Sequence, residues 1–478
     1  MGLVILLTAA CIVAVFVCVL IVNAILCKLR GRRLTEKRTV DTVEGEAYYT
    51  QRLAKMIACA TVSDKDGYDD TEFARLRAVI RELFPRVSDK AELKIFGDDC
   101  YVYRIPGRDT ARNVMVMSHH DVAPVSGDWK YPPFSGTVAE GCIWGRGTVD
   151  TKTPLFAELS ALEELLGDGF VPPCNVYLAS SHNEEIGGDG IPLAVAYFQE
   201  NNIQFEWILD EGGAVIDAPM GGIDCKCAML AVHEKGRHTL ILTADKEEGH
   251  GGLSGKTETP VVRMARFIAH VQKKQPFIRK ISPEMRAMFE GLAPYMAFPM
   301  RLIFANLWLF SGLLKRMIPA LNEQAGAMLG TSGTFSKINT GTDGSCQAEM
   351  LLRCVNKADL ASDITALKGI AREYGIHVAD ALEGNEFHKP ASMERPGYGF
   401  IKACVEHNFG YAACAPFILP AGTDARHFCE MCDCVIRFAP IDINNQQFKS
   451  VHGVNENIDT EAVVRAVAFY KDLLQRIQ

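Results

Sequence analysis

Between Gly2 and Cys27 the sequence has no charged side chain, and only Thr8 and Asn23 are obviously polar. That absence excludes an ordinary surface segment. At about 1.5 Å per residue, a helix of this length exceeds the roughly 30 Å of hydrocarbon in a bilayer. A cleaved signal peptide is the competing reading, but no basic residues precede the apolar run, the run is long, and no small-x-small cleavage site follows. Residues 2–27 are therefore expected to be a transmembrane anchor. Lys28, Arg30, Arg32, Arg33, Lys37 and Arg38 follow at once. They make 28–41 a basic linker, which the positive-inside rule keeps cytoplasmic together with the body that follows.

Other absences narrow the rest of the chain. No low-complexity or proline-rich tract argues for extensive disorder. No basic excess exists either: the net charge of −8 excludes the basic face of a nucleic-acid binder. Among 16 cysteines, Cys429-x-x-Cys432 has no second pair at metal spacing, and Cys225/Cys227 sit too close and too isolated for a disulfide framework. They read as reduced, mostly buried thiols. At 478 residues the chain should hold two or three domains.

What is present alternates. Residues 43–84 are helical in character, with a polar interruption at 63–71. Val114-Met115-Val116-Met117, Val176-Tyr177-Leu178-Ala179 and Trp207-Ile208-Leu209 are continuous apolar runs, as expected of buried parallel strands. Between the first two, Thr153-Pro154 opens a helix with Leu155, Phe156, Leu159, Leu162 and Leu166 on one face. Strand–helix repetition predicts an α/β domain with a mostly parallel central sheet over 42–232. From 233 to 389 the texture becomes α+β: an alternating strand at His238–Thr243, a helix at Val261–Val271 and another strand at Gln347–Arg353. A long excursion, roughly 275–334, interrupts it. After about residue 390 the first texture returns through Phe417–Leu419, Val435–Phe438 and a helix near Glu461–Leu474. The second unit thus reads as an insertion in the first.

Chemistry-bearing residues follow the apolar runs, where open α/β sheets bind ligands. Ser118-His119-His120-Asp121 follows the first run, and Gly145-Arg146-Gly147-Thr148-Val149-Asp150 precedes a helix. Asn183-Glu184-Glu185 follows the second run, Asp210-Glu211-Gly212-Gly213 the third, and Val451-His452-Gly453 lies near the end. Imidazole and carboxylate donors suit two zinc ions, with cobalt or manganese as substitutes. The assignment is His119, Asp150, Glu185, Asp210 and His452 as ligands, with Asp150 bridging. Asp121, two residues after His119, can accept the imidazole's other N–H and fix its tautomer. Glu184, beside the ligand Glu185, is then the general base that takes a proton from the attacking water. His120, His182, His427 and Asp424 are set aside as ligands.

These segments together, His119-x-Asp121, Gly145-x-Gly147-x-x-Asp150-x-Lys152, Glu184-Glu185 and Asp210-Glu211-Gly212, resemble the two-zinc family of aminoacylase-1, carboxypeptidase G, acetylornithine deacetylase and succinyl-diaminopimelate desuccinylase. Pro132-Pro133-Phe134-Ser135-Gly136, Gly422-Thr423-Asp424-Ala425-Arg426-His427-Phe428 and His452-Gly453-Val454-Asn455-Glu456 are similar to the branch of yeast Gly-X carboxypeptidase and N-fatty-acyl-amino-acid synthase/hydrolase. The resemblance covers nearly everything from about residue 42 onward. It implies a homodimer in which 233–389 is a lid and dimerisation domain. There Gly249-His250-Gly251-Gly252 resembles the family's Gly-His-Ser-Ser, whose histidine stabilises the oxyanion in the neighbouring subunit's site. Glycines replace the serines here, and Thr340 stands where the family has asparagine. Arg353 and Arg426 match arginines that could clamp a substrate carboxylate. The implied reaction is hydrolysis of the amide bond of a peptide or N-acyl amino acid bearing a free carboxylate, or the reverse synthesis of fatty-acyl amino acids. Phe304, Leu307, Trp308, Leu309 and Phe310 could line an acyl pocket or pack within the lid; lid packing is the reading preferred. A catalytically inactive, membrane-tethered binding protein would have lost the base or a ligand, and both Glu184 and all five ligands are present.

Overall fold

The computed structural model describes residues 1–37, 43–65, 67, 69–246, 259–321, 323–381 and 386–478. The continuous apolar runs become neighbours at the centre of a nine-stranded sheet. Cys174–Ser181, Asp109–His119, Ile208–Asp210 and Val435–Arg437 lie side by side in that order, all parallel. Every residue of Cys174–Ser181 is buried, which explains why the run shows no alternation. The helix opened by Thr153-Pro154 spans Lys152–Gly167 and packs on Asp109–His119 and on the C-terminal helix Thr460–Arg476.

The sheet as a whole is mixed, not mostly parallel. Glu92–Phe96 and Cys100–Ile105 pair antiparallel, and the second also runs antiparallel to Cys174–Ser181. Only residues 97–99 connect the first two, too few for the crossover that parallel strands need, so they form a hairpin turned at Gly97 (φ 56°). On the other flank Cys227–Glu234 is antiparallel to Val435–Arg437 and parallel to Ala413–Leu419.

A second sheet holds Ser332–Thr340, Cys346–Cys354, Gly236–Ala244 and His377–Asp380, in that order and antiparallel throughout. Alternate residues of its two central strands are buried. Beneath them Leu240, Leu242, Met350 and Leu352 form a separate core with Met264, Phe267, Leu360 and Leu367 from the helices Pro260–Lys274 and Lys357–Glu373. The excursion lies elsewhere. Its helix Pro283–Leu292 covers the edge strand Ala413–Leu419 of the large sheet, shielding an edge that would otherwise be open to pairing. Phe298–Phe304 and Leu307–Leu321 then form a bent pair beside the N-terminal helix.

That N-terminal helix, Gly2–Arg30, is long and apolar enough to cross a membrane, with a mean hydropathy of 3.2 over its most apolar stretch. Only Leu20 and Ala24 of it are buried. The basic segment after it docks on the body: Arg32 Nη2 donates to Ala412 O (3.0 Å), Thr35 N–H to Gly410 O (3.1 Å), and Lys37 Nζ pairs with Asp442 (2.8 Å).

Candidate metal centre

The strand ends bring the site together. His119 closes Asp109–His119, Glu184 and Glu185 follow the neighbouring Cys174–Ser181, and Asp210 closes Ile208–Asp210. A small three-stranded sheet delivers the rest. Thr137–Ala139 and Cys142–Trp144 form a hairpin whose two-residue turn, Glu140 and Gly141, has φ of 57° and 73°. Asn457–Asp459 pairs with Cys142–Trp144. The segments carrying Asp150 and His452 are thereby fixed to one another.

The Asp150 carboxylate faces a histidine on each side. Oδ1 lies 3.1 Å from His119 Nε2 and Oδ2 lies 2.9 Å from His452 Nε2. His452 Nε2 is also 3.0 Å from Glu185 Oε2. One ligand atom from each of His119, Asp150 and Glu185 falls within 4.8 Å of the others. Imidazole nitrogens and carboxylate oxygens converging at these distances fit a divalent transition-metal ion, and the two-sided Asp150 fits a bridge.

The electrostatics agree. Asp150 and Glu185 push the His452 imidazole up to about 10, so it carries a proton where a ligand would be neutral. Asp150 is held well below the usual carboxylate range, His119 and His452 outweighing its burial. Glu184 and Glu211 go the other way. Burial raises both, and the crowd of carboxylates around them adds to the rise. Such crowding of anions in a buried place is what a bound cation relieves.

Asp121 organises this arrangement although fully buried. Its Oδ1 lies 3.2 Å from His119 Nδ1 and accepts the Glu184 N–H at 3.2 Å. Oδ2 accepts the Glu185 N–H (3.1 Å) and the Ser63 hydroxyl (2.6 Å). Nδ1 also lies 3.0 Å from the Asp121 carbonyl, so this side of the ring is held by Asp121 and Nε2 is the nitrogen directed at Asp150. His120 is occupied otherwise: its ring stacks on Tyr101 at 4.7 Å and Nδ1 meets Ser180 Oγ at 2.9 Å.

Two acids that motif reading leaves without a role acquire one. Glu456, four residues beyond His452, accepts the N–H groups of Gly147 (3.2 Å), Val149 (2.7 Å) and Asp150 (3.1 Å) and pairs with Arg146 at 2.7 Å. It holds the loop that presents Asp150, and its signal in the sequence is its place in the His452–Glu456 motif. Glu211 borders the same cavity as Asp150, Glu184, Glu185 and His452, whereas an oxygen of Asp210 accepts the Ala425 N–H at 2.9 Å. Glu211 is close enough to Asp150, His119 and Glu184 for their charges to act on it.

Arg426 is mostly buried, with Nη1 3.7 Å from Glu184 Oε1 and Nε 3.3 Å from Glu386 Oε2. Arg353 pairs with Arg237 across the second sheet, and burial together with Arg237 and Arg426 depresses its pKa. Arg426 itself is raised, burial being outweighed by Asp424, Glu184, Glu386 and Glu234 around it. His250 lies outside the described residues.

The cavity that opens on this cluster has a volume of about 410 Å³. Beyond its acids the lining is largely apolar: Ile216, Met229, Met328, Phe417, Leu419 and Phe448. None of Phe304 to Phe310 takes part in it.

Comparison with known proteins agrees with this geometry. Peptidase family M20/M25/M40 matches residues 115–476. The chain is 28% identical over 454 residues to an N-fatty-acyl-amino acid synthase/hydrolase of Xenopus tropicalis, covering 92% of this chain and 87% of that protein. It is 27% identical to a carboxypeptidase S-like protein of Dictyostelium discoideum, over 90% of this chain and 85% of the other. Among solved structures, an M20 family metallo-carboxypeptidase from Sulfolobus solfataricus superposes with a TM-score of 0.63 at 18% identity, covering 90% of this chain and 98% of that one.

Proposed function

This chain belongs to peptidase family M20/M25/M40 and is a metal-dependent amide hydrolase of that family, and we propose that it cleaves N-acyl amino acids or short peptides through two zinc ions bridged by Asp150. The observation that carries the proposal is the Asp150 carboxylate, flanked by His119 on one side and by His452 with Glu185 on the other. The first ion would be held by Asp150, His452 and Glu185, the second by Asp150, His119 and the acids at 210–211. When bound, such ions polarise the scissile carbonyl and make water nucleophilic near neutral pH. Glu184, which is not needed as a ligand, takes the proton from the attacking water and delivers it to the leaving amine. Arg426 and Arg353 orient the substrate carboxylate, since a planar guanidinium suits that group and both arginines belong to one charged neighbourhood.

The apolar lining of the cavity favours a hydrophobic N-acyl group over a charged peptide side chain. We propose further that Gly2–Arg30 anchors the enzyme in a membrane with the body on the cytoplasmic side. A dimer in which His250 completes the site of the neighbouring subunit belongs to the same reading.

A substrate series tests the specificity. N-acyl amino acids with long apolar acyl chains should be hydrolysed with higher kcat/KM than acetyl derivatives. Converting the free carboxylate of the best substrate to an amide should lower kcat/KM by about ten- to a hundred-fold, the worth of a charge-assisted contact. In Arg426→Ala, where Arg353 remains, the acid should keep only part of its advantage over the amide. Equal rates for acid and amide in the wild-type enzyme would remove carboxylate recognition from the proposal.

A further inference from the structure

We propose that the bent helix pair formed by Phe298–Phe304 and Leu307–Leu321 is embedded in the membrane leaflet next to the catalytic body. The proposal rests on the reading of Gly2–Arg30 as a membrane anchor. The two helices meet at 108° and, taken together up to Ala320, are as apolar as a membrane span. They are too sharply bent to cross a bilayer as one rod. Their outward residues are large and apolar: Phe298, Trp308, Leu309, Leu313 and Met317 are each at least 40% exposed. That is an unusual density for a surface facing water.

Where this surface sits is set by the N-terminal helix. Phe16 meets Trp308 edge to face at 5.8 Å, and Asn23 Nδ2 donates to Asn306 Oδ1 at 2.8 Å. Phe16 precedes Lys28 by twelve residues, about 18 Å along a helix. With Lys28 at the lipid headgroups, Trp308 lies near the midplane of a hydrocarbon layer roughly 30 Å thick, the deepest level the helix pair reaches in that leaflet. The level cannot slide freely, because Arg32, Thr35 and Lys37 fasten the next segment to the body.

The break between the helices is built for such a place. Irregular backbone in hydrocarbon needs its polar groups satisfied internally. Asn306 is fully buried, and its Nδ2 donates to Leu302 O (2.8 Å) and Leu20 O (3.1 Å). Its carbonyl accepts the N–H groups of Leu309 (3.0 Å) and Phe310 (3.1 Å), and its own N–H donates to Ile303 O (3.1 Å). Arg301 in the first helix is tied down, its Nη1 donating to Met296 O (3.0 Å) and its guanidinium lying over the Phe298 ring at 5.9 Å, while Lys315 and Arg316 come after Leu313 and just before Met317. Inward, Phe304, Leu307 and Leu314 share one apolar cluster with Met229, Met328 and Phe417, three residues of the cavity lining. The embedded surface and the substrate chamber are thus two ends of one apolar body, which suits a substrate whose acyl chain arrives from the lipid.

The test uses the full chain reconstituted in vesicles of phosphatidylcholine brominated midway along the acyl chains. Flotation with the vesicles after an alkaline wash reports the anchor, and bromine quenching of tryptophan fluorescence reports the hairpin. Trp308 is one of four tryptophans; Trp144 and Trp207 are buried and Trp129 belongs to the catalytic body. We expect quenching in the wild-type protein, its loss in Trp308→Phe, and its return when Leu313→Trp is added to Trp308→Phe. Protein that floats but shows the same quenching with and without Trp308 overturns the embedded hairpin and leaves the anchor standing. Protein that does not float overturns the anchor and the hairpin with it.

Discussion

Glu184→Gln is expected to lower kcat by roughly a hundred- to ten-thousand-fold, the usual worth of a positioned general base, with fold and metal content unchanged. Glutamine matches the size of glutamate and can accept one hydrogen bond, but it cannot take a proton from water at neutral pH. The Glu184 backbone N–H, which donates to Asp121, is unaffected by the substitution, and the side chain loses only its charge toward Arg426 at 3.7 Å. The direct ligand contacts also survive, because the Asp150, His119, Glu185 and His452 contacts do not involve the Glu184 side chain. KM should therefore move little, the loss falling on the chemical step. A variant that turns over the best substrate at near wild-type rate would remove Glu184 from the mechanism.

Asp150→Ala should be as damaging for a different reason. Among the described residues the carboxylate is the one group paired with both His119 and His452, so alanine unlinks the two halves of the cluster. Losing the metal chemistry costs several kcal/mol of transition-state stabilisation; 4 kcal/mol is about a thousandfold in rate. Asp150→Asn separates the bridge from simple charge. Its single oxygen can serve one side while its amide nitrogen repels the other, so one ion should remain where alanine leaves fewer. Metal analysis of the two variants beside the wild type checks this order. Two ions retained in both would show that Asp150 does not bridge.

Much of this site was legible because its residues sit at the ends of elements with a strong local signature. Runs such as Val114–Met117 and Val176–Ala179 are buried on both faces, and a buried strand places whatever follows it at the sheet's carboxyl edge. The flanks were harder. Glu92–Phe96 is an exposed edge strand with almost no buried residue, and its antiparallel pairing is dictated by a three-residue connection rather than by any hydrophobic pattern. The role of Glu456 depends on three backbone N–H groups over three hundred residues away in sequence, contacts that only the fold creates. The cavity lining gathers Ile216, Met229, Met328, Phe417 and Phe448 from separate elements. The aromatic run at Phe304–Phe310 was locally more conspicuous, yet it turns toward the N-terminal helix instead.

The most direct measurement is a metal titration of the stripped enzyme. Purified protein is depleted of metal with a chelator, shown by circular dichroism to remain folded, and titrated with zinc while bound metal and hydrolysis of an N-acyl amino acid are followed together. Two ions should bind per chain, and full activity should return only as the second site fills. Full activity with one ion per chain, or a one-ion stoichiometry unaltered by His452→Ala, would contradict the bridged two-metal centre.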